Sequence, residues 1–289
     1  MDFKIFFSNF ASEFNKNKLF NTAIVRKIYG ILVFMMLLCF GCQWQLRPND
    51  DDDTSSVSIA RYDRIESLYL TTGDYSALQQ MNTYFPTQTR TLIEDVLHIG
   101  KVDDPETNRR FLRFFQDSTL QRMLIDVQQQ YTEMDDVNEA LASAFERLQD
   151  EMPALEIPTI YAQIGSFDQS IIVADGSLGI SLDKYLGADY PFYRQNYSDD
   201  QRRMMERSMI VPDCLGFYLL SLYPIPHDVM DTQEGRDQHM SKIQWVVNEV
   251  MGHDVFQNDM ISAVDRYMEN NKGQSFDDLL RSSGKTIFQ

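Results

Sequence analysis

Residues 156–182, EIPTIYAQIGSFDQSIIVADGSLGISL, mark the place where the chain changes from helical to extended patterns. The stretch alternates in part and is rich in Ile, Val and Tyr, which are typical of strands. It predicts strands at Thr159–Gly165 and Ser170–Asp175, joined as a hairpin around Ser166–Gln169. A short helix is predicted to follow at Ser181–Leu186, with Ser181 as its cap. We therefore expect a small β-hairpin or sheet near residues 157–176.

The segments on both sides of this stretch are helical by periodicity. The clearest case is Asp126–Met152, where apolar residues recur at steps of three, four and seven and so form one stripe of a helix. Earlier helices are predicted at Ser58–Leu70, Asp74–Tyr84, Pro86–Leu97 and Pro105–Ile125, the last broken near Asp117-Ser118. Later helices are predicted at Asp199–Ser208, Pro212–Tyr223, Gly235–Met251, Gln257–Asn270 and Ser275–Ser282. This order indicates an α+β fold that is predominantly helical, with a helical N-terminal half and a helical C-terminal half, rather than a repeating βαβ array.

An uncharged apolar run, Ile28–Gly41, lies near the start of the chain. As a helix it rises about 21 Å, less than the ~30 Å hydrocarbon layer, which favours a signal peptide over a membrane span. Arg26 and Lys27 precede the run, and Cys42 follows it in the pattern of a bacterial lipobox. Residues 1–42 are therefore predicted to be a signal peptide ending in a lipidated Cys42, and the alternative is a buried helix. The long prefix leaves open a translation start near Val25.

The segment after Cys42 is polar and acidic. Asp50–Asp53 is expected to belong to a flexible tether over residues 43–57, which a single domain over residues 58–289 follows. The full chain has 26 Lys and Arg against 43 Asp and Glu, a net charge of −17. Nucleic acid and anionic lipid surfaces are poor partners for such a chain, because neither would release counterions to it. Attachment to the membrane is expected to come from acyl chains on Cys42.

Side chains that could carry chemistry are few. The four histidines form no H-E-x-x-H pattern, and the chain has neither a G-x-S-x-G motif nor a Gly-rich phosphate loop. Glu249 and His253 can share a helix face, but a zinc site needs a third ligand, so no metal and no cofactor is predicted. Cys214 stands among Leu and aromatic residues and is predicted to be buried rather than nucleophilic. The pattern therefore does not favour an enzyme.

Five aromatic residues follow the predicted sheet, within a polar segment: Tyr185, Tyr190, Phe192, Tyr193 and Tyr197. Aromatic side chains on a loop are typical of recognition surfaces for a protein or a sugar. We take these five residues as the candidate binding surface. The alternative is that they pack against the rim of the sheet.

Residues 160–193, IYAQIGSFDQSIIVADGSLGISLDKYLGADYPFY, resemble the gliding-motility lipoprotein GldB and its relatives in Bacteroidetes. The most specific part is LDKYLG at residues 182–187, which the family places after a strand pair and before aromatic residues. Residues 210–220, IVPDCLGFYLL, and residues 242–251, KIQWVVNEVM, are similar to later segments of the family. The resemblance covers roughly residues 60–289 and the lipoprotein start.

The resemblance implies a lipid-anchored cell-envelope protein that acts as a non-enzymatic accessory or interaction component of motility or secretion machinery, with an envelope protein as partner. It implies a place in the outer membrane, and the acidic run after Cys42 resembles a signal for export to the cell surface. Distant relatives are similar to zinc peptidases, but the helix that would carry the ligands, Val211–Tyr223, offers Asp213 and no histidine. A C-terminal part shorter than in gliding members leaves a role outside gliding open. The alternatives are a degenerate or active peptidase-like hydrolase and a surface glycan-binding lipoprotein.

Overall fold

A computed structural model of the protein describes residues 57–174, 176–282, 284, 287 and 288. The predicted signal peptide, the lipidated Cys42 and the acidic run Asp50–Asp53 lie outside the described residues. Within the described ranges, no helix combines the length and the apolar character that a membrane crossing requires.

Up to residue 151 the described chain is predominantly helical. After a short strand, β1 (Ile59–Ala60), the helices are α1 (Tyr62–Thr72), α2 (Tyr75–Tyr84), α3 (Pro86–Arg90), α4 (Thr107–Phe114), α5 (Ser118–Gln130) and α6 (Asp135–Glu151). α3 continues as a π-helical segment, Thr91–Val96. The carboxylates of Asp74 and Asp117 accept hydrogen bonds from first-turn N–H groups of α2 and α5, so both helices begin at side-chain caps.

The long helix predicted over Asp126–Met152 is two helices. α5 ends at Gln130 and α6 begins at Asp135, with the connection between them at residues 131–134. The apolar stripe runs through this connection, because Tyr131 and Met134 are both buried. The hydroxyl of Tyr131 donates a hydrogen bond to the carbonyl oxygen of Tyr185, far away in sequence. A tertiary contact therefore holds the break, and periodicity alone does not reveal it.

The strands of the described part of the chain form one sheet with the order β1-β2-β4-β3. Their bounds after β1 are β2 (Thr159–Gln163), β3 (Ile171–Ala174) and β4 (Ser177–Ser181). β2 pairs in parallel with both β1 and β4, and β3 pairs antiparallel with β4. β1 replaces the start of the helix predicted from Ser58. In β2 and β4 every residue after the first is buried, as in strands that are covered on both faces.

The hairpin predicted around Ser166–Gln169 is wrong. β2 and β3 are not neighbours, and the hairpin is formed by β3 and β4, in which Ala174 pairs with Ser177. In the sequence, Asp-Gly stands between these two residues, a pair that two-residue hairpin turns prefer. β4 was not predicted because Gly179 interrupts its apolar residues. The same glycine makes the pairing with β2 possible. It lies opposite Tyr161, and a Cβ at this position would be 2.5 Å from the Tyr161 hydroxyl oxygen.

The second half of the described chain returns to helices. A 3₁₀ turn at Leu182–Lys184 takes the place of the short helix predicted over Ser181–Leu186. It precedes α7 (Pro191–Asn196), α8 (Asp199–Arg203), a 3₁₀ turn (Arg207–Met209), α9 (Ile210–Leu222), α10 (His227–Met230), α11 (Gln233–Met251), α12 (Asp259–Asn270) and α13 (Phe276–Arg281). α1 contacts β2, and α9 contacts β3 and β4, so helices from both halves pack on the sheet. The predicted α+β, predominantly helical fold is confirmed.

Candidate binding groove

A cleft of about 950 Å³ lies between α5 and α7. We call it the aromatic groove. It is lined by Thr119, Arg122, Asp126, Gln129, Gln130, Tyr190, Pro191, Phe192, Gln195 and Asn196. A cleft of this size is large enough for a small molecule or a short segment of another chain.

One wall of the aromatic groove is a single face of α5. Thr119, Arg122 and Asp126 recur at steps of three and four, which places their side chains in one row along the helix. The adjacent face of the helix carries Met123 and Val127, which are fully buried. Packing of the apolar face therefore fixes the direction in which the polar row is presented.

The other wall begins where Tyr190 leads into α7. Pro191 is the first residue of α7, a position where a helix needs no N–H donor. The ring of Phe192 lies parallel to that of Phe167, with centroids 4.0 Å apart and an interplanar angle of 13°. Phe167 belongs to the loop after β2 and has a φ of 65°, in the left-handed region. The second wall therefore rests on that loop.

The side chain of Asp183 holds the loop after β2 in place. Its buried carboxylate accepts hydrogen bonds from the backbone N–H groups of Gly165, at 2.6 Å, and of Phe167. Burial raises the pKa of Asp183, and these two hydrogen bonds oppose the rise. Lys184 Nζ donates to the carbonyl oxygen of Phe167 at 3.1 Å. Two residues of LDKYLG thus organise the base of the aromatic groove.

Glu66 is a second buried carboxyl at this loop, and the sequence analysis did not single it out. Its Oε2 accepts a hydrogen bond from the N–H of Ile164 at 2.9 Å. Burial raises the pKa of Glu66 well above its usual range. The signal for it was present in α1, where Tyr62, Glu66 and Tyr69 share one buried face. An acidic residue on an apolar helix face requires a hydrogen-bond donor inside the protein.

Two buried tyrosines connect the LDKYLG motif with the rest of the fold. The hydroxyl of Tyr193 donates to the carbonyl oxygen of Asp183 and accepts a hydrogen bond from the N–H of Leu186 at 3.2 Å. The hydroxyl of Tyr185 donates to the carboxylate of Asp213 at 2.8 Å. Side-chain hydrogen bonds therefore add to the 3₁₀ turn in holding the segment between β4 and α7.

A small polar network joins the two walls of the aromatic groove. Arg122 Nε donates to both carboxylate oxygens of Asp126, at 3.0 and 3.1 Å. The Tyr190 hydroxyl donates to the same carboxylate at 3.2 Å. Burial and the charge of Asp126 raise the pKa of Tyr190, so its hydroxyl is a protonated donor at neutral pH. One cation and one anion leave the network without net charge.

The chain also matches a protein family. A family model described as gliding motility protein GldB matches residues 44–233 of the 289-residue chain. The chain belongs to the GldB family. The resemblance noted at LDKYLG is thereby confirmed, and the matched range contains every residue of the aromatic groove. The searches of curated proteins and of solved structures found no match.

In this GldB family member the five aromatic residues of the predicted binding surface fall into two groups. Tyr185 and Tyr193 are core residues, exposed by only 1% and 0%, so they support the surface from below, which corrects the prediction. Tyr190, Phe192 and Tyr197 are partly buried, and Tyr190 and Phe192 line the aromatic groove. That this surface binds a partner stays a prediction.

The polar half of the aromatic groove was missed in the sequence analysis. This half includes Arg122, Asp126 and Gln129. They lie on a helix face that was expected to face solvent because its residues are polar. Gln195 follows the aromatic residues in α7, and no sequence signal distinguishes it from other polar surface residues. Only the position of α7 across the cleft from α5 shows that these side chains line one cleft.

The residues considered for metal or covalent chemistry do not assemble. Within the described ranges, no three His, Cys, Asp or Glu side chains form a set that could hold a metal ion, so Asp213, Glu249 and His253 share no such site. Burial raises the pKa of Asp213 to about 6, although the hydrogen bond from Tyr185 acts against the rise. Cys214 is fully buried, as predicted, and burial raises the pKa of its thiol.

Proposed function

We propose that this protein is a lipid-anchored lipoprotein of the cell envelope that supports gliding motility or the associated secretion machinery as a non-enzymatic accessory component. The observation that carries this proposal is the GldB family match over residues 44–233. The match begins two residues after Cys42, where the lipobox pattern places the mature N-terminus. With a net charge of −17, the chain needs acyl chains rather than a basic patch to stay on an anionic membrane.

The location that we propose is the outer membrane, with the folded part on the cell surface. The support is the acidic run Asp50–Asp53 shortly after Cys42, which resembles a surface-export signal. Digestion of intact cells with an added protease tests the topology. A surface protein is degraded in intact cells, whereas a periplasmic one is degraded only after the outer membrane is opened.

The accessory role that we propose is contact with an envelope protein through the aromatic groove. Asp126 is the side chain in this cleft that could best serve as a catalytic base. However, both of its oxygens accept hydrogen bonds from Arg122, and one also accepts a hydrogen bond from Tyr190. A carboxylate engaged in this way is suited to position donors rather than to abstract protons. The groove therefore favours recognition over hydrolysis.

The lipid anchor is tested by comparing Cys42→Ser with Cys39→Ser in the host bacterium. Both cysteines lie at the end of the apolar run, so Cys39→Ser is a matched control. We expect Cys39→Ser to remain in the membrane fraction after an alkaline carbonate wash and Cys42→Ser to be released. Mass spectrometry should find the acyl chains on an N-terminal Cys42. An intact N-terminus upstream of Cys42 would contradict the proposed anchor.

The interaction role is tested in a strain that lacks the gene. Full-length protein should restore colony spreading, and the double variant Tyr190→Ala/Phe192→Ala should not, while both accumulate to equal levels. Tyr75→Ala is the control, because this aromatic side chain is 68% exposed and outside the aromatic groove. Full spreading by the double variant would contradict a role for the groove. Spreading unaffected by loss of the gene would contradict the function itself.

A further inference from the structure

The two walls of the aromatic groove present amide groups that no part of the described protein uses. Gln129 on α5 and Gln195 on α7 line the cleft and are exposed, and their side-chain amides make no hydrogen bond within the described residues. Each amide offers N–H donors and a carbonyl acceptor. A peptide backbone offers the complementary acceptor and donor at every residue. Amides on opposite walls can therefore bind a backbone from both sides.

Arg122 adds further donors to the same wall. Its Nε is engaged with Asp126, whereas its two Nη groups donate no hydrogen bond to any described residue. The side chain is 75% exposed, so these donors are accessible from solvent. Guanidinium N–H groups on the same wall as an amide are well suited to carbonyl oxygens of a bound chain.

The length of the aromatic groove fits a short extended segment. The α5 residues that line it run from Thr119 to Gln130. At 1.5 Å per residue this is roughly 16 Å of helix. An extended chain advances about 3.3 Å per residue, so approximately five residues would follow the wall from end to end.

The charge of the cleft points to an uncharged segment. Arg122 and Asp126 neutralise each other, and the chain as a whole carries −17. An acidic ligand would be repelled by the field of the protein. A basic ligand would have to compete with Arg122 for Asp126, the only carboxylate among the described residues that line the cleft.

The aromatic rings favour a peptide over a saccharide. Sugars stack on open ring faces, but one face of Phe192 is covered by Phe167 at 4.0 Å. Tyr190 packs edge to face with Tyr193 at 5.0 Å, and its hydroxyl is held by Asp126. These rings supply an apolar contact for one side chain of a ligand, which is the arrangement expected beside a backbone held by amides.

We infer that the aromatic groove binds an extended, uncharged peptide segment of about five residues, with its backbone between Gln129 and Gln195 and an apolar side chain against Tyr190 and Phe192. The inference rests on the proposed function, because it states the chemistry of the partner that the groove would contact.

The test uses the full-length protein in detergent micelles. The probes are a pool of uncharged pentapeptides, acetylated at the N-terminus and amidated at the C-terminus, and the neutral saccharide maltopentaose. Saturation-transfer NMR identifies bound members, and calorimetry then measures the Kd of the tightest one. We expect peptides to bind and Gln129→Ala/Gln195→Ala to weaken the tightest by about tenfold or more, from the loss of two or more hydrogen bonds. Gln79→Ala/Gln128→Ala, with two exposed glutamines outside the groove, should bind as the unchanged protein does.

Three outcomes would overturn the inference: binding of maltopentaose in place of the peptides, no binding of any pool member, or equal peptide affinity in both glutamine variants. Arg122→Met provides a second variant with the same expected loss. These results are distinguishable from failure of the proposed function. If no peptide binds but Tyr190→Ala/Phe192→Ala still fails to restore spreading, the proposed function stands and only the peptide chemistry is lost.

Discussion

The carboxylate of Asp183 lies 2.6 Å from the backbone nitrogen of Gly165 and accepts its hydrogen bond. Gly165 lies just beyond the end of β2, and Asp183 lies just beyond the end of β4. This contact therefore joins the carboxyl ends of two neighbouring parallel strands. The same carboxylate accepts the N–H of Phe167, whose ring supports Phe192 in the aromatic groove. One buried side chain of LDKYLG thus links the sheet to the candidate binding groove.

Replacing Asp183 with Ala should destabilise the fold strongly. The change leaves two backbone N–H groups without their buried acceptor, at a cost of about 1–3 kcal/mol each. Asp183→Asn should cost less, because its side-chain oxygen can still accept one of the two hydrogen bonds. Urea unfolding measures both, with Asp189→Ala as the control, since the Asp189 side chain is 93% exposed. Equal stability of Asp183→Ala and Asp189→Ala would show that the two hydrogen bonds to Asp183 do not stabilise the fold.

Removing the hydroxyl of Tyr193 should cost more than removing that of Tyr190. The Tyr193 hydroxyl is buried and is bonded to Asp183 and Leu186. Tyr193→Phe leaves both of those groups unpaired, and we expect a loss of about 1–3 kcal/mol in the free energy of unfolding. Tyr190→Phe removes one hydrogen bond at a partly exposed position and should cost less than about 1 kcal/mol. A similar loss for both variants would contradict the division into a core tyrosine and a groove tyrosine.

Asp213 should make stability depend on pH between about 4 and 6. Folding raises the pKa of Asp213 to about 6 from a usual value of 3.8, so the folded state binds its proton more tightly. Its favourable contribution is therefore complete below pH 3.8 and is lost as the pH rises through 6. Asp213→Asn keeps an acceptor for Tyr185 without an ionisable group. It should be more stable than the unchanged protein at pH 7.5, by up to about 3 kcal/mol, and equal to it at pH 3.5.

Unfolding in urea at both pH values measures this difference. Asp254→Asn serves as a control, because Asp254 is an exposed carboxyl outside α9. A gain for Asp213→Asn that is the same at both pH values would contradict a titration of Asp213 as its cause.

Adding a methyl group at Gly179 should strain the sheet, whereas adding one at Gly216 should not. A Cβ at Gly179 would lie 2.5 Å from the Tyr161 hydroxyl oxygen and 2.6 Å from its Cζ, both part of a rigid buried ring. We expect Gly179→Ala to cost about 1–3 kcal/mol. Gly216 lies within α9, and outside the backbone of that helix no described heavy atom lies within 4 Å of the position that an added methyl group would occupy. Gly216→Ala should therefore stabilise the helix by about 0.5–1 kcal/mol. Chemical denaturation measures both, and a stable Gly179→Ala would contradict the β2–β4 register.

The helical pattern of the chain could be predicted well because helix signals are local. The starts of α2 and α5 follow Asp74 and Asp117, whose short carboxylates cap the next turn, and α3 starts at Pro86 as expected. The break at residues 131–134 could not be predicted in this way, because the apolar stripe continues through Tyr131 and Met134. What holds that break is a hydrogen bond to Tyr185.

The amino-acid sequence by itself determined the helical class, the presence of extended segments near residues 157–176, the burial of Cys214 and the resemblance carried by LDKYLG. Periodicity, capping and turn chemistry act over a few residues, so they can be read along the chain. The tertiary structure alone decided that β2 pairs with β4, that Tyr193 is core while Tyr190 lines a groove, and that Arg122 and Gln195 face one cleft. Such choices depend on which distant surfaces exclude water together, and a linear pattern does not contain that information.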